Sequence, residues 1–141
     1  MPERGSALAE KPVILVVEDD ADIQRIVEDA LADGGFEPAI AASGEEAITL
    51  LKGRAAKYCA LVLDINLRGR MTGWVTARQA REIDPAFPIL YITAGAGHEW
   101  PSQGVPNSIL LQKPFASAQL VTAVSQLLNN GTPPLSPKDP A

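Results

Sequence analysis

Val13-Ile14-Leu15-Val16-Val17-Glu18-Asp19-Asp20 is an unbroken aliphatic run that stops on three acidic residues. A continuous β-branched run of this kind predicts a strand buried on both faces, not the alternating pattern of a half-exposed one. The pattern returns at Ala60-Leu61-Val62-Leu63, which ends on Asp64, at Pro88 to Thr93, and at Ile109 to Gln112, which ends before Lys113. Phe36 to Ala41 is a shorter candidate; Pro38 lacks a backbone donor and predicts an edge strand.

Helical patterns separate these runs. From Ala21 to Ala32, Ile23, Ile26, Val27, Ala30 and Leu31 make one apolar stripe, and Gly34 and Gly35 supply a left-handed stop. Ser43 stands three residues before Glu46, a capping-box spacing for a helix to about Lys52. Gly73 to Ile83 reads as a third helix, stopped before Pro85. Ser117 is expected to cap a last helix with Leu120, Val121, Val124, Leu127 and Leu128 inward, ended by Gly131. Strand and helix alternate throughout, so the expected fold is α/β: a doubly wound five-stranded parallel sheet with helices on both faces. Sites in such sheets form at the carboxyl ends of the strands, where strand order switches.

The chain has 141 residues and fits one domain. Residues 1–11 read as a flexible lead, 12–130 as the folded unit, and the proline-rich 131–141 as a disordered tail. A net charge of −5 disfavours nucleic acid as a partner, and no apolar run approaches the ~20 residues that span a bilayer. With Cys59 as the single cysteine no intrachain disulfide forms, which suits the cytoplasm. Cys59 itself is expected to be a packed thiol.

Polar residues close four of the strands: Glu18, Asp19 and Asp20; Asp64; Thr93; and Lys113. Taken singly each has a plain explanation. Asp64 and Asp20 could be helix caps, Lys113 a solvated lysine, and Thr93 a strand-to-loop transition. If the strands that end at Glu18 and at Asp64 are neighbours, however, several carboxylates converge and repel. A hard divalent cation such as Mg²⁺, with its preference for carboxylate, phosphate and water oxygens, resolves that conflict. Ala94 and Gly95 leave room beside Thr93 for a phosphoryl group, and a cis Lys113-Pro114 bond would turn the lysine back over the strand ends.

The set Val-Val-Glu-Asp-Asp at 16–20, Leu-Val-Leu-Asp-Ile-Asn-Leu at 61–67, Ile-Thr-Ala at 92–94 and Lys-Pro-Phe at 113–115 resembles the receiver domain of two-component response regulators, with its flavodoxin-like fold, over about residues 11–130. The resemblance implies that Asp64 is the phosphoacceptor and that Thr93 and Lys113 contact the phosphoryl group. It implies a Mg²⁺ site made by Asp19 directly, Glu18 through water, Asp64, and the main-chain carbonyl of Asn66. It also implies a signalling protein, not an enzyme on external substrates: one that takes phosphate from a histidine kinase or phosphotransfer protein, loses it slowly to water, and then binds a target. The expected type is a single receiver with no output domain.

Three departures from the common pattern stand out. Arg68 occupies a position often held by proline, and the loop from Arg68 to Thr72 is slightly long. Leu110 replaces the aromatic often found three residues before the lysine. Gly95, Gly97, Pro101, Gly104 and Pro106 make a regular fourth helix improbable, so residues 94–108 are expected to be loosely held; Trp100, if exposed there, would offer an anchor for a partner, and otherwise would pack against the last helix. His98 has no companion ligands at useful spacing. Two rival classes remain. A phosphatase of the haloacid-dehalogenase type also uses a strand-end Asp nucleophile, but wants a second Asp where this chain has Asn66. A degenerate receiver acting only as a binding module would not need Asp19, Asp64, Thr93 and Lys113 together.

Overall fold

The computed structural model describes residues 11–95 and 97–130; all but Lys11 of the expected lead at 1–11, the tail at 131–141 and the helix stop at Gly131 lie outside them. Five strands, β1 (Val13–Val17), β2 (Glu37–Ala41), β3 (Ala60–Asp64), β4 (Ile89–Thr93) and β5 (Ser108–Gln112), form one parallel sheet in the order β2-β1-β3-β4-β5. Pro38 falls on an edge strand, as expected. The central strands β1, β3 and β4 are almost wholly buried.

The alternation of side chains along each strand sorts the core into two layers. Leu15, Val17, Leu61, Leu63, Ile89 and Tyr91 face one way, against α2 (Gly44–Arg54) and α3 (Gly73–Ile83). Ile14, Val16, Val62, Leu90 and Ile92 face the other, against α1 (Ala21–Asp33) and α5 (Ser117–Asn130). Each fully buried aliphatic side chain contributes about 1.5–3 kcal/mol, so both helix layers are held mainly by these stripes.

Caps set the helix ends. Asp20 accepts from the N–H groups of Asp22 (2.8 Å) and Ile23 (3.2 Å). Ser43 accepts from Glu46 N–H (3.1 Å), while Glu46 reaches back to Ala42 N–H (2.9 Å), one residue earlier than in a strict capping box. At the end of α1 the left-handed residue is Gly35 (φ 95°); Gly34, the cap, has negative φ. Ser117 is not a cap but the first residue of α5. Ala116 precedes it, and its N–H is satisfied by the Gln119 side chain at 2.7 Å. Cys59 also departs from expectation: it is exposed, because it lies just outside β3 at the amino end of the sheet.

The segment after β4 is short, as expected: a 3₁₀ turn at Gly97–Glu99 and the four-residue α4 (Trp100–Gln103). It is better anchored than its glycines and prolines suggest. Trp100 is half-buried against the core, and its indole N–H donates to Ser108 Oγ at 3.0 Å, so it is no free anchor. Val105 N–H donates to the hydroxyl of the fully buried Tyr91 at 3.0 Å. Arg78 on α3 bonds the carbonyl and side chain of Gln103. Arg81, one turn on, donates to the carbonyls of Phe87 (2.6 Å), Pro106 (2.6 Å) and Asn107 (3.2 Å). Side-chain partners on α3 and β4 replace the helical bonds that this composition cannot make. Arg81→Ala leaves three carbonyls to water and should lower stability by about 1–2 kcal/mol. An unchanged midpoint in urea denaturation would show that the staple carries no weight.

Candidate functional site

The site lies at the carboxyl ends of β1, β3, β4 and β5. Val17 pairs with Leu63 across the β1–β3 ladder, so Glu18 and Asp64 leave the sheet side by side. Asp64 pairs with Ile92, and Lys113 N–H donates to Thr93 O at 2.8 Å, which brings the last two strand ends alongside. The structure thus assembles four separate polar signals in one place.

Glu18 (2% exposed) and Asp64 (8%) are buried, and Asp19 is half-buried beside them. One carboxylate oxygen from each lies within 4.8 Å of the others. Lys113 enters between two of them, with Nζ 3.2 Å from Asp64 Oδ2 and 3.6 Å from Glu18 Oε1. The Lys113–Pro114 bond is cis. The second Asp64 oxygen, Oδ1, accepts from Asn66 N–H at 3.0 Å, while the Asn66 side chain faces solvent. Thr93 is fully buried, and its Oγ1 accepts from Gly95 N–H at 3.2 Å. Asp20 turns away to cap α1. Burial first, and the Asp64 charge second, push the Glu18 carboxyl up to about 7. Lys113 and the exposed Arg68 guanidinium, whose Nε is 3.5 Å from Asp19, face three carboxylates, so the cluster stays short of positive charge. The three carboxylates offer the hard oxygen donors that a small divalent cation prefers, so they fit a Mg²⁺ ion.

Several contributors carry no sequence signal. Gln24 Nε2 on α1 donates to Glu18 O at 2.6 Å and fixes the acidic turn. Arg68 N–H donates to Asp19 Oδ2 at 2.8 Å, with the exposed guanidinium Nε 3.5 Å away. Gly73, known from sequence only as a helix start, presses its Cα against the backbone of Asp64 and Ile65. Trp74 packs in the core against Tyr91, ring centroids 4.9 Å apart, and donates to Glu99 at 3.3 Å. His98 is exposed and pairs with Glu99, its neighbour in sequence.

A family model described as response regulator receiver domain matches residues 14–125. The chain belongs to this family. The receiver is 31% identical over 130 residues to response regulator MprA of Mycobacterium sp. (strain KMS), covering 91% of this chain and 55% of that protein. It is 34% identical over 119 residues to the transcriptional regulatory protein PrrA of Mycobacterium tuberculosis, covering 83% of this chain and 50% of that one. The receiver thus spans about half the length of these curated relatives. Among solved structures, a response regulator receiver protein from Sinorhizobium medicae superposes with a TM-score of 0.82 at 49% identity, covering 87% of this chain and 98% of that one. Among the described residues no helix is long and apolar enough to cross a membrane.

Proposed function

We propose that this receiver is a phosphoacceptor that takes a phosphoryl group on Asp64 from a histidine kinase or histidine phosphotransfer protein in the cytoplasm, in a Mg²⁺-dependent reaction. The observation that carries the reading is the geometry at Asp64: Oδ2 faces Lys113 at 3.2 Å while Glu18 and Asp19 crowd the same few ångströms. Glu18, Asp19, Asp64 and the Asn66 carbonyl are the residues that would hold the cation. When bound, Mg²⁺ neutralises charge on the phosphoryl oxygens and on the carboxylates.

The remaining roles belong to the chain. The ionised Asp64 carboxylate attacks phosphorus in line; its new P–O bond forms as the bond to the donor imidazole nitrogen breaks, and the electron pair leaves with the imidazole. No proton need leave the nucleophile. Asn66 N–H orients the carboxylate through Oδ1. Lys113 exchanges part of its contact with Asp64 for the arriving phosphoryl oxygens, and so senses the change in charge. Thr93 is one residue beyond the Ile92 partner of Asp64, and its hydroxyl turns from Gly95 N–H toward the phosphoryl group. Because that hydroxyl now holds the turn at 94–95, its departure would be the first movement passed outward, to a protein target. Slow hydrolysis of the acyl phosphate ends the signal.

Incubation with a small acyl phosphate and Mg²⁺, followed by intact mass, separates this reading from its rivals. One added phosphoryl group supports it. Multiple turnovers of released phosphate without an adduct indicate a phosphatase, although Asn66 is no acid. No change of either kind indicates a binding module.

The cation set carries its own expectation. Mg²⁺ binds the native carboxylates and not the dispersed ones of the unfolded chain, so it should raise the melting temperature. Asp19→Ala removes the carboxylate that is not neutralised by Lys113 and should erase most of that rise. An undiminished Mg²⁺ response in the variant, followed by differential scanning fluorimetry, would rule out Asp19 as a ligand.

A further inference from the structure

The loop from Arg68 to Thr72 is held by carboxylates from two different elements. At its front, Arg68 N–H donates to Asp19 Oδ2 at 2.8 Å. Two residues on, Arg70 N–H donates to Glu45 Oε2 at 3.0 Å. Glu45 sits in the first turn of α2 and does not belong to the acidic cluster. Between the two clamps lies Gly69, with φ 97°, a left-handed turn that lets successive N–H groups point to opposite anchors. A Cβ on Gly69 would fall 3.5 Å from Glu45 Oε1, so the loop lies directly on this carboxylate. That oxygen is itself buried and has no hydrogen-bond partner among the described residues. Glu45 is half-buried, and the one carboxylate oxygen it hides from water is left unbonded while the other holds Arg70 N–H.

We infer that Glu45 is a positioning residue for the cation site: by fixing Arg70 it holds the loop so that Arg68 N–H orients Asp19 for metal. The inference rests on the metal-site reading above. The physical reason is general. A ligating carboxylate is itself held by hydrogen bonds, and losing such an outer partner typically costs ~10–100-fold in metal affinity. Glu45 stands one link further out, through two peptide units, so its effect falls at or below the lower end of that range. The role depends on an acceptor oxygen and not on charge. Glu45→Gln keeps an acceptor at the place of Oε2, whereas Glu45→Ala removes it.

Two readouts on the full chain test this. Mn²⁺ titration, with free ion followed by electron paramagnetic resonance, reads affinity. Amide hydrogen exchange of residues 68–72 in metal-free protein reads the clamp without reference to metal. The expected result is a loss of Mn²⁺ affinity of about three- to tenfold in Glu45→Ala with faster exchange in the loop, and values near wild type in Glu45→Gln. Unaltered affinity in Glu45→Ala overturns the inference while leaving the metal site intact. Equal losses in both variants overturn it as well, since charge would then be the cause. Failure of the wild-type chain to bind Mn²⁺ overturns the metal-site reading and this inference with it.

Discussion

Asp64→Asn should take up no phosphoryl group from a small acyl phosphate under conditions that load the wild-type chain. The substitution is nearly isosteric at a strand end with little spare room. Its amide oxygen can still accept from Asn66 N–H, in place of Oδ1 at 3.0 Å, while its NH₂ group takes the place of Oδ2 and gives up the contact with Lys113. The buried ladder of β3 is left untouched, so the fold should persist. What changes is the nucleophile. A carboxylate presents a full negative charge to phosphorus and yields a mixed anhydride; a neutral carboxamide does neither. The nearby carboxylates are poor substitutes. Asp19 is engaged by Arg68 N–H, and Glu18 is held toward its protonated form by burial and by the Asp64 charge. Intact mass after donor treatment reads the outcome, with peptide mapping of the wild-type adduct as the positive control. Loading of Asp64→Asn at the wild-type rate would remove Asp64 from the acceptor role and force the assignment onto Glu18 or Asp19.

The residues legible in the sequence share one property: their signal is local. A buried strand announces itself by an aliphatic run, and a residue that ends the run announces a strand end. Glu18, Asp64, Thr93 and Lys113 were therefore readable one at a time, and the parallel alternation placed their strand ends together. Asp20 was readable as a cap because a cap acts within its own helix turn. Long-range satisfaction of polar groups leaves no such mark. Nothing in the composition of 94–108 tells that Arg78, Arg81 and Tyr91 complete its backbone hydrogen bonds, so the segment looked looser than the structure makes it. Trp100 looked available for the same reason; its partner, Ser108, is defined only by the turn that joins them. Cys59 looked packed because it adjoins an aliphatic run, but the run starts one residue later. Glu45 and the Arg68 amide belong to the same class: their importance lies in a loop whose shape depends on one left-handed glycine.

Gly73 is the strongest case of a residue whose role only the packing reveals, and Gly73→Ala is expected to damage both fold and chemistry. Gly73 opens α3, and its N–H donates to Ile65 O at 2.8 Å, which ties the helix start to the residue after the acceptor. A Cβ at this position would lie 2.6 Å from Ile65 Cα and 3.0 Å from Asp64 C, and closer still to Asp64 O. All three are main-chain atoms, so no rotamer change relieves the overlap. Either the amino end of α3 lifts or the end of β3 recedes. Overpacking of this sort costs about 1–3 kcal/mol, and the better helix propensity of alanine offsets only a part. Lifting α3 also moves Trp74 off Tyr91, which extends the disturbance into the core. At the site, the shift falls on the acceptor's own peptide, and with it on the Asn66 and Lys113 contacts to Asp64. A displacement near 1 Å can lower the rate of a positioned reaction by about 100-fold. Gly53→Ala is the matched control, since Gly53 is exposed within α2 and nothing stands within 4 Å of its added Cβ. That variant should gain about 0.5–1 kcal/mol and load phosphate normally. Urea denaturation together with the time course of phosphoryl incorporation reads both effects in each protein. Normal stability and normal loading in Gly73→Ala would mean that α3 does not bear on the acceptor peptide.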